Sequence, residues 1–167
     1  DVGEQSKILF SAQHREWSRL DSLIVHWDRN NPPTIPPAPA GPSNPVIEEF
    51  DWDDSQRYSL GFRHTLNSGT VLRAGYAHET TTQDGAKKRS ARVPDNDRDW
   101  FSLGATFRPV ERMSIDVGYA HVLVDDADID REEDVNGDGV ITQGPETVKG
   151  TYELTANIIG AQLNYRF

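Results

Sequence analysis

Apolar residues alternate with small or polar residues over several separate stretches of this chain. In the clearest stretch, residues 113–124, Ile115, Val117 and Tyr119 share one parity, while Asp116 and Gly118 share the other. Successive side chains of a strand point to opposite faces, so the alternation predicts strands with one apolar face. The opposite face is rich in Gly, Ser, Thr and Arg. A soluble sandwich and a membrane barrel both alternate in this way.

The connections between the alternating stretches favour the barrel. Asn67, Ser68 and Gly69 form a tight turn, and residues 108–112 form another short one. The other connections are long and cover residues 28–51, 81–97 and 125–150. Short turns at one end and long loops at the other are typical of outer-membrane barrels. We therefore predict strands at about 7–27, 53–66, 70–80, 98–108, 113–124 and 151–167, with a β-bulge near Ile158 and Ile159 to correct the phase of the last strand.

Composition excludes several classes of protein. The chain has 167 residues, a net charge of −10 and no cysteine. The acidic balance argues against a nucleic-acid partner, and the lack of cysteine excludes disulfides and thiolate chemistry. No apolar run is long enough for a spanning helix. The start, Asp1-Val2-Gly3-Glu4, is neither an initiator methionine nor a signal peptide, so we expect a mature protein or a piece of a longer one.

The chain ends on an aromatic residue after a strand-like stretch. Tyr165 and Phe167 share the parity of the preceding apolar residues. This ending resembles the signal that the barrel-assembly machinery of the outer membrane recognises. The alternative is a strand that merely ends in Phe.

Several stretches resemble the FadL-type long-chain fatty acid transporters, a family that includes aromatic-hydrocarbon channels. The most specific run is Val93-Pro94-Asp95-Asn96-Asp97-Arg98-Asp99-Trp100, followed at the family's spacing by Ser114-Ile115-Asp116-Val117-Gly118-Tyr119. The resemblance implies an all-β, transmembrane antiparallel barrel of about fourteen strands. Residues 1–167 would be the C-terminal portion of that single domain and supply its last six strands. The missing N-terminal part, with its hatch, would be a partner.

Charged residues cluster on the polar parities. If the apolar faces meet lipid, an inward polar wall would comprise Arg57, Arg63, Arg73, Glu79, Arg108 and Asp116. The turn at 67–69 predicts Arg63 opposite Arg73 and Arg57 opposite Glu79. Two facing arginines need nearby carboxylates, and Asp116 is one candidate. The wall is either a salt-bridged filling of the lumen or a surface that grips a plug or a ligand carboxylate.

One acidic loop has the spacing of a calcium site. Asp134, Asn136 and Asp138 would supply side-chain oxygens, and Val140 its carbonyl. Position 12 of such a loop is Pro145, not the usual Glu, so a solvated acidic loop is equally consistent. No other cofactor is expected.

No enzyme signature is present in the sequence. We find no His-x-x-x-His pair and no Gly-x-Ser-x-Gly motif, so we expect no enzyme. His64, His78 and His121 fall on lipid-facing parities near strand ends. A set of aromatic residues is predicted to form girdles or strand-end anchors: Trp17, Trp27, Trp52, Trp100, Tyr76 and Tyr119.

The leading hypothesis is passive uptake of hydrophobic compounds, long-chain fatty acids or aromatic hydrocarbons, across the bacterial outer membrane. The expected partners are a hydrophobic small-molecule ligand, outer-membrane lipid and lipopolysaccharide, the rest of the barrel and the assembly machinery. The alternative is a secreted β-sandwich binding module with a calcium-stabilised loop. An outer-membrane lipase-like enzyme would need a Ser–His pair that the sequence does not reveal.

Overall fold

The computed structural model describes residues 3–26, 46–87, 89, 94–133 and 146–167. The strands are β1 (Ser6–Arg15), β2 (Ser22–Val25), β3 (Val46–Glu49), β4 (Ser55–Thr65), β5 (Val71–Glu79), β6 (Arg98–Val110), β7 (Met113–Glu133) and β8 (Glu146–Tyr165). Six of them form one antiparallel sheet in the order β1-β4-β5-β6-β7-β8, and β2 pairs with β3 in a separate two-stranded sheet. The predicted all-β order is confirmed. Among the described residues, no helix is long and apolar enough to cross a membrane.

Two tight turns set the register of the sheet. Between β4 and β5, Gly69 adopts φ +80°, and its amide donates to the Leu66 carbonyl over 2.8 Å. A side chain would be strained in this left-handed conformation, so glycine suits the position. β6 and β7 join through residues 111–112, with a register shift between Phe107 and Val110. We call this end of the sheet the turn end and the opposite end the loop end.

The sheet has two chemically different faces. The apolar face carries exposed large side chains, such as Phe10 at 72% exposure, Leu103 at 62% and Ile159 at 82%. The polar face carries mainly glycine, serine, threonine and charged residues. Among the described residues no second sheet is stacked on either face. This arrangement does not provide the closed core that a secreted sandwich requires.

The first predicted strand, residues 7–27, is wrong beyond Arg15. β1 ends there and a single 3₁₀ turn, Trp17–Arg19, follows. The Ser18 amide donates to Asp54 Oδ1 over 3.0 Å, and the ring centroids of Trp17 and Trp52 lie 5.7 Å apart. These contacts reverse the chain, so residues 22–25 pair with β3 and not with β4.

Most of the predicted loop at 125–150 is strand. β7 continues to Glu133 and β8 begins at Glu146, so their hairpin extends past the ends of the neighbouring strands. The predicted bulge near Ile158 and Ile159 is also wrong, because the irregularity lies between Val124 and Ala127. Ile158 pairs regularly with Ala120. The change in the parity of the apolar residues along β8 therefore needs no bulge. Towards the loop end of β8, apolar residues also occupy the polar face of the sheet.

Candidate functional site

A buried carboxylate organises the loop end of the polar face. Glu79, 5% exposed, lies opposite Arg57 in the register. Arg57 Nη1 donates to Glu79 Oε2 over 3.1 Å, and Arg15 pairs with the other oxygen. The Arg57 guanidinium carbon lies 4.9 Å from the centroid of the Trp100 ring. A cation over an aromatic face is attracted to it, so ion pair and ring together hold Arg57 in place.

The middle of the polar face has almost no side chains. Gly61 lies opposite Gly75, and Gly104, Gly118 and Gly160 are register partners across β6, β7 and β8. A Cβ on Gly75 would lie only 2.7 Å from Ser102 Oγ. Glycine in a strand interior often marks a place that another group approaches closely.

A second polar cluster lies towards the turn end. Arg63 faces Arg73, as the turn predicted. Arg73 donates to Thr106 Oγ1 over 2.8 Å and lies 4.0 Å from Asp116, which accepts a hydrogen bond from Thr106. Asp116 thus neutralises Arg73. Arg63 has no ion-pair partner among the described residues, so one positive charge on this part of the wall remains unbalanced.

These features line one groove. A concavity of about 660 Å³ is bordered by Arg57 and Trp100 at one end and by Arg63 and Arg73 at the other, with Gly61, Gly75, Ser102 and Gly104 between them. Arg57 and Arg63 are separated by roughly 20 Å along β4 at the usual rise of a strand. The groove can receive an elongated group along a flat floor, with a cationic contact at either end.

The loop end is covered by residues 81–87, 89 and 94–97. Arg89 is buried and donates to the carbonyls of Gln83, Asp95 and Asp128. The Asp95 carboxylate accepts hydrogen bonds from Thr81 and Thr82. Ala127 and Ile129, in the extended part of β7, are also buried. The hydrogen bond from Arg89 to the Asp128 carbonyl links the segment before β6 to the extended part of β7.

Some predicted site residues lie apart from the groove or outside the described residues. Arg108 lies at the turn end, 3.4 Å from the Gly69 carbonyl, and does not line the groove. Tyr165 is 52% exposed and contacts the Phe167 ring edge-on at 5.2 Å. The calcium candidates fall outside the described residues: Asp134, Asn136, Asp138 and Val140. Whether the wall, the calcium loop and the terminal signal act as proposed stays a prediction.

The predicted aromatic girdle is partly wrong. Trp100 shares the parity of Ser102, so its side chain lies on the polar face. There its ring contacts the guanidinium group of Arg57. Trp17 and Trp52 lie in the folded connection beyond β1, while Trp27 falls outside the described residues. Tyr76 and Tyr119 are on the apolar face at 43% and 41% exposure, where a girdle was expected.

Sequence reasoning missed two contributors to the wall. Arg15 reaches Glu79 from β1, and Thr106 bridges Arg73 and Asp116. Parity alone places Thr106 on the polar face. The partner of Arg15 depends on the pairing of β1 with β4, which brings together residues 64 positions apart and leaves no local signal.

Comparisons with known proteins agree on one family. The sequence profile of the "Outer membrane protein transport protein (OMPP1/FadL/TodX)" family matches residues 1–167. The chain is 28% identical to outer membrane protein P1 of Haemophilus influenzae, covering 95% of this chain and 31% of that protein. It is 29% identical to a long-chain fatty acid transport protein of Escherichia coli, covering 99% of this chain and 31% of that one.

A solved structure shares the fold. The crystal structure of a Pseudomonas aeruginosa FadL homologue aligns with a TM-score of 0.76 at 20% identity, covering 99% of this chain and 33% of that one. The chain therefore spans about a third of the length of these relatives.

Proposed function

Because this chain belongs to the OMPP1/FadL/TodX family and forms part of an outer-membrane β-barrel, we propose that the barrel passes hydrophobic compounds inward across the outer membrane. The proposed substrates are long-chain fatty acids or aromatic hydrocarbons. The transport is passive: no bond is made or broken and no cofactor is consumed. The secreted sandwich is not favoured.

The observation that carries the proposal is the opposite chemistry of the two sheet faces. Large apolar side chains such as Leu103 and Ile159 stay exposed on one face, as contact with hydrocarbon requires. The other face carries the groove between Arg57 and Arg63. A barrel built in this way encloses a polar interior with room beside a wall of glycine. The lipopolysaccharide layer slows the diffusion of apolar solutes across the outer membrane. A barrel of this kind offers them a route through that layer.

The direct test uses the full-length barrel. It would be expressed in a host that lacks its own fatty-acid transporter, and entry of a labelled long-chain fatty acid and of labelled toluene would be measured. We expect uptake of at least one of the two well above the empty host. Uptake no faster than in the empty host would refute the proposal.

A pair of matched variants tests the groove. Gly61→Leu puts a branched side chain into the groove, where the nearest atom to a new Cβ is 3.7 Å away. Gly160→Leu makes the same change on the same face outside the groove. We expect several-fold slower uptake for Gly61→Leu and less than a twofold change for Gly160→Leu. Equal rates for the two folded variants would mean that substrate does not pass along this groove.

A further inference from the structure

Two matching side-chain clusters lie on the apolar face near the loop end. Tyr76 and His78 both bond to Asp99 Oδ1, over 2.7 and 2.9 Å. Tyr119 and His121 both bond to Asn157 Oδ1, over 2.7 and 2.8 Å. In each cluster the tyrosine precedes the histidine by two positions, and the acceptor lies directly opposite the histidine in the register. We call them the Tyr–His clusters.

The shared acceptor fixes the chemistry of each ring. A carboxylate or amide oxygen only accepts, so Nδ1 of each histidine carries the hydrogen. Nε2 is then available to a further partner. Asp97 Oδ2 lies 4.0 Å from His78 Nε2, and His121 Nε2 has no partner among the described residues.

These groups belong at the level of lipid headgroups. Charged and strongly polar side chains on the lipid side of a barrel are costly at the bilayer midplane and cheap near its surface. The loop end of such a barrel faces outwards, because its long loops are extracellular. The two clusters therefore contact the outer leaflet of the outer membrane.

An apolar groove begins directly beneath the clusters. It has a volume of about 560 Å³, and its lining includes Leu60, Phe62, Ala74 and Leu103 together with Tyr76 and Tyr119. A second concavity of about 660 Å³ shares Phe62, Ala74, Leu103 and Tyr119 and continues past Ala105 and Ala161 towards the turn end. The small alanine side chains leave this space between larger neighbours. An apolar groove that ends at polar groups suits an amphiphile.

We propose that this surface binds one glycolipid of the outer leaflet, the lipid part of lipopolysaccharide. An acyl chain lies in the groove over Ala74. Nε2 of His78 and of His121 meets the headgroup and accepts a hydrogen bond from a sugar hydroxyl. The free oxygen of Asp99 takes a second hydroxyl. The proposal depends on the barrel's place in the outer membrane and not on what it transports.

The test measures lipid bound to the full-length barrel. Purified barrel in nanodiscs of phosphatidylethanolamine would be offered lipid A, and the bound lipid counted by native mass spectrometry. The double variant His78→Phe, His121→Phe keeps rings on the apolar face and removes both Nε2 groups. We expect its lipid A affinity to fall about tenfold, the effect of two lost hydrogen bonds. Ala74→Leu, which fills the groove, should also lower it.

His64→Phe is the matched control. His64 lies on the same face at the turn end, where its Nδ1 is 2.8 Å from Ser6 Oγ. We expect lipid A affinity to stay within twofold of the parent, with heat-modifiable mobility showing a folded barrel in every variant. The proposal is overturned if the parent holds lipid A no better than phosphatidylethanolamine, or if His64→Phe weakens binding as much as the double variant does.

Discussion

At the scale of single residues, Glu79 is the charge on which the loop end of the polar face depends. It is 5% exposed and faces two guanidinium groups, Arg57 and Arg15. Burial of an ion in a low-dielectric site is compensated only by close partners of opposite charge. Removing the carboxylate leaves two cations facing each other.

Neutralising Glu79 should therefore destabilise the barrel. For Glu79→Gln we expect the free energy of unfolding to fall by about 2–3 kcal/mol, less than for a fully buried pair because both arginines are partly exposed. Lys149→Gln is the control, since its pair with Asp130 at 3.0 Å is exposed and should contribute less than about 1 kcal/mol. Urea unfolding in lipid vesicles measures both. A loss for Glu79→Gln no larger than for Lys149→Gln would contradict the role of Glu79.

Glycine is required at position 75 because of the adjacent Ser102 side chain and not because of its backbone conformation. A Cβ there would lie 2.7 Å from Ser102 Oγ, which donates to the Gly75 carbonyl over 3.3 Å. Gly75→Ala should displace that hydroxyl and cost about 1 kcal/mol. In a Ser102→Ala background, Gly75→Ala should lower the free energy of unfolding by much less. A double-mutant cycle of unfolding free energies measures this difference.

Asp54 makes the connection beyond β1 sensitive to acid. A hydrogen bond from Ser18 lowers the pKa of Asp54 below the usual 3.8, and His14 adds a smaller effect. A group with a lowered pKa stabilises the folded form above its unfolded pKa and loses that contribution as the pH falls through the folded value. We expect the protection factor of the Ser18 amide against exchange to fall as the pH drops below 3.8, the usual pKa of the carboxyl. Asp54→Asn should weaken the pH dependence, and an unchanged profile would contradict this.

At the scale of elements, the β7–β8 hairpin is longer than its neighbours and is held where it projects. Beyond the irregularity at Val124 and Ala127 it contacts Ala86 and Arg89. The Asp130 amide donates to the Ala86 carbonyl over 2.9 Å, and Arg89 reaches the Asp128 carbonyl. Residues 125–133 and 146–150, which sequence alone treats as parts of a loop, are thus strand.

Arg89 should control the local stability of the segment before β6. Arg89→Met keeps the apolar stem but leaves three carbonyls without their donor, so the segment should open locally without unfolding the barrel. We expect exchange of the Asp130 amide at least tenfold faster, with exchange in β4 and β5 unchanged. Arg19→Met removes a guanidinium whose side chain is 78% exposed and should have no such effect. Equal protection in both variants would show that Arg89 does not hold the segment.

At the scale of the whole molecule, the two faces of one sheet decide how the protein meets its surroundings. The apolar face exposes rings and branched side chains that a water-soluble protein would bury. The polar face would meet the remainder of the barrel interior. These 167 residues contain no cysteine, so a cysteine introduced here can report on either face of this part of the barrel.

A cysteine at Val117 should contact hydrocarbon and one at Gly118 should contact the aqueous interior. In the full-length barrel with spin labels, Val117→Cys should respond more strongly to oxygen and Gly118→Cys more strongly to a water-soluble nickel complex. The two residues are neighbours on β7, so depth in the membrane is matched between them. Greater nickel access at Val117 would reverse the assignment of the faces.

The sequence alone determined the sheet, its faces and the pairing of Arg57 with Glu79 and of Arg63 with Arg73, because alternation and one tight turn are local signals. Tertiary structure decided the rest. The end of β1 at Arg15 depends on the contact of Ser18 with Asp54. The long β7–β8 hairpin depends on its contacts with Ala86 and Arg89. The shared acceptors of the Tyr–His clusters come from neighbouring strands. Contacts between residues far apart in the sequence depend on which strands pair. The alternation within one strand does not contain that information.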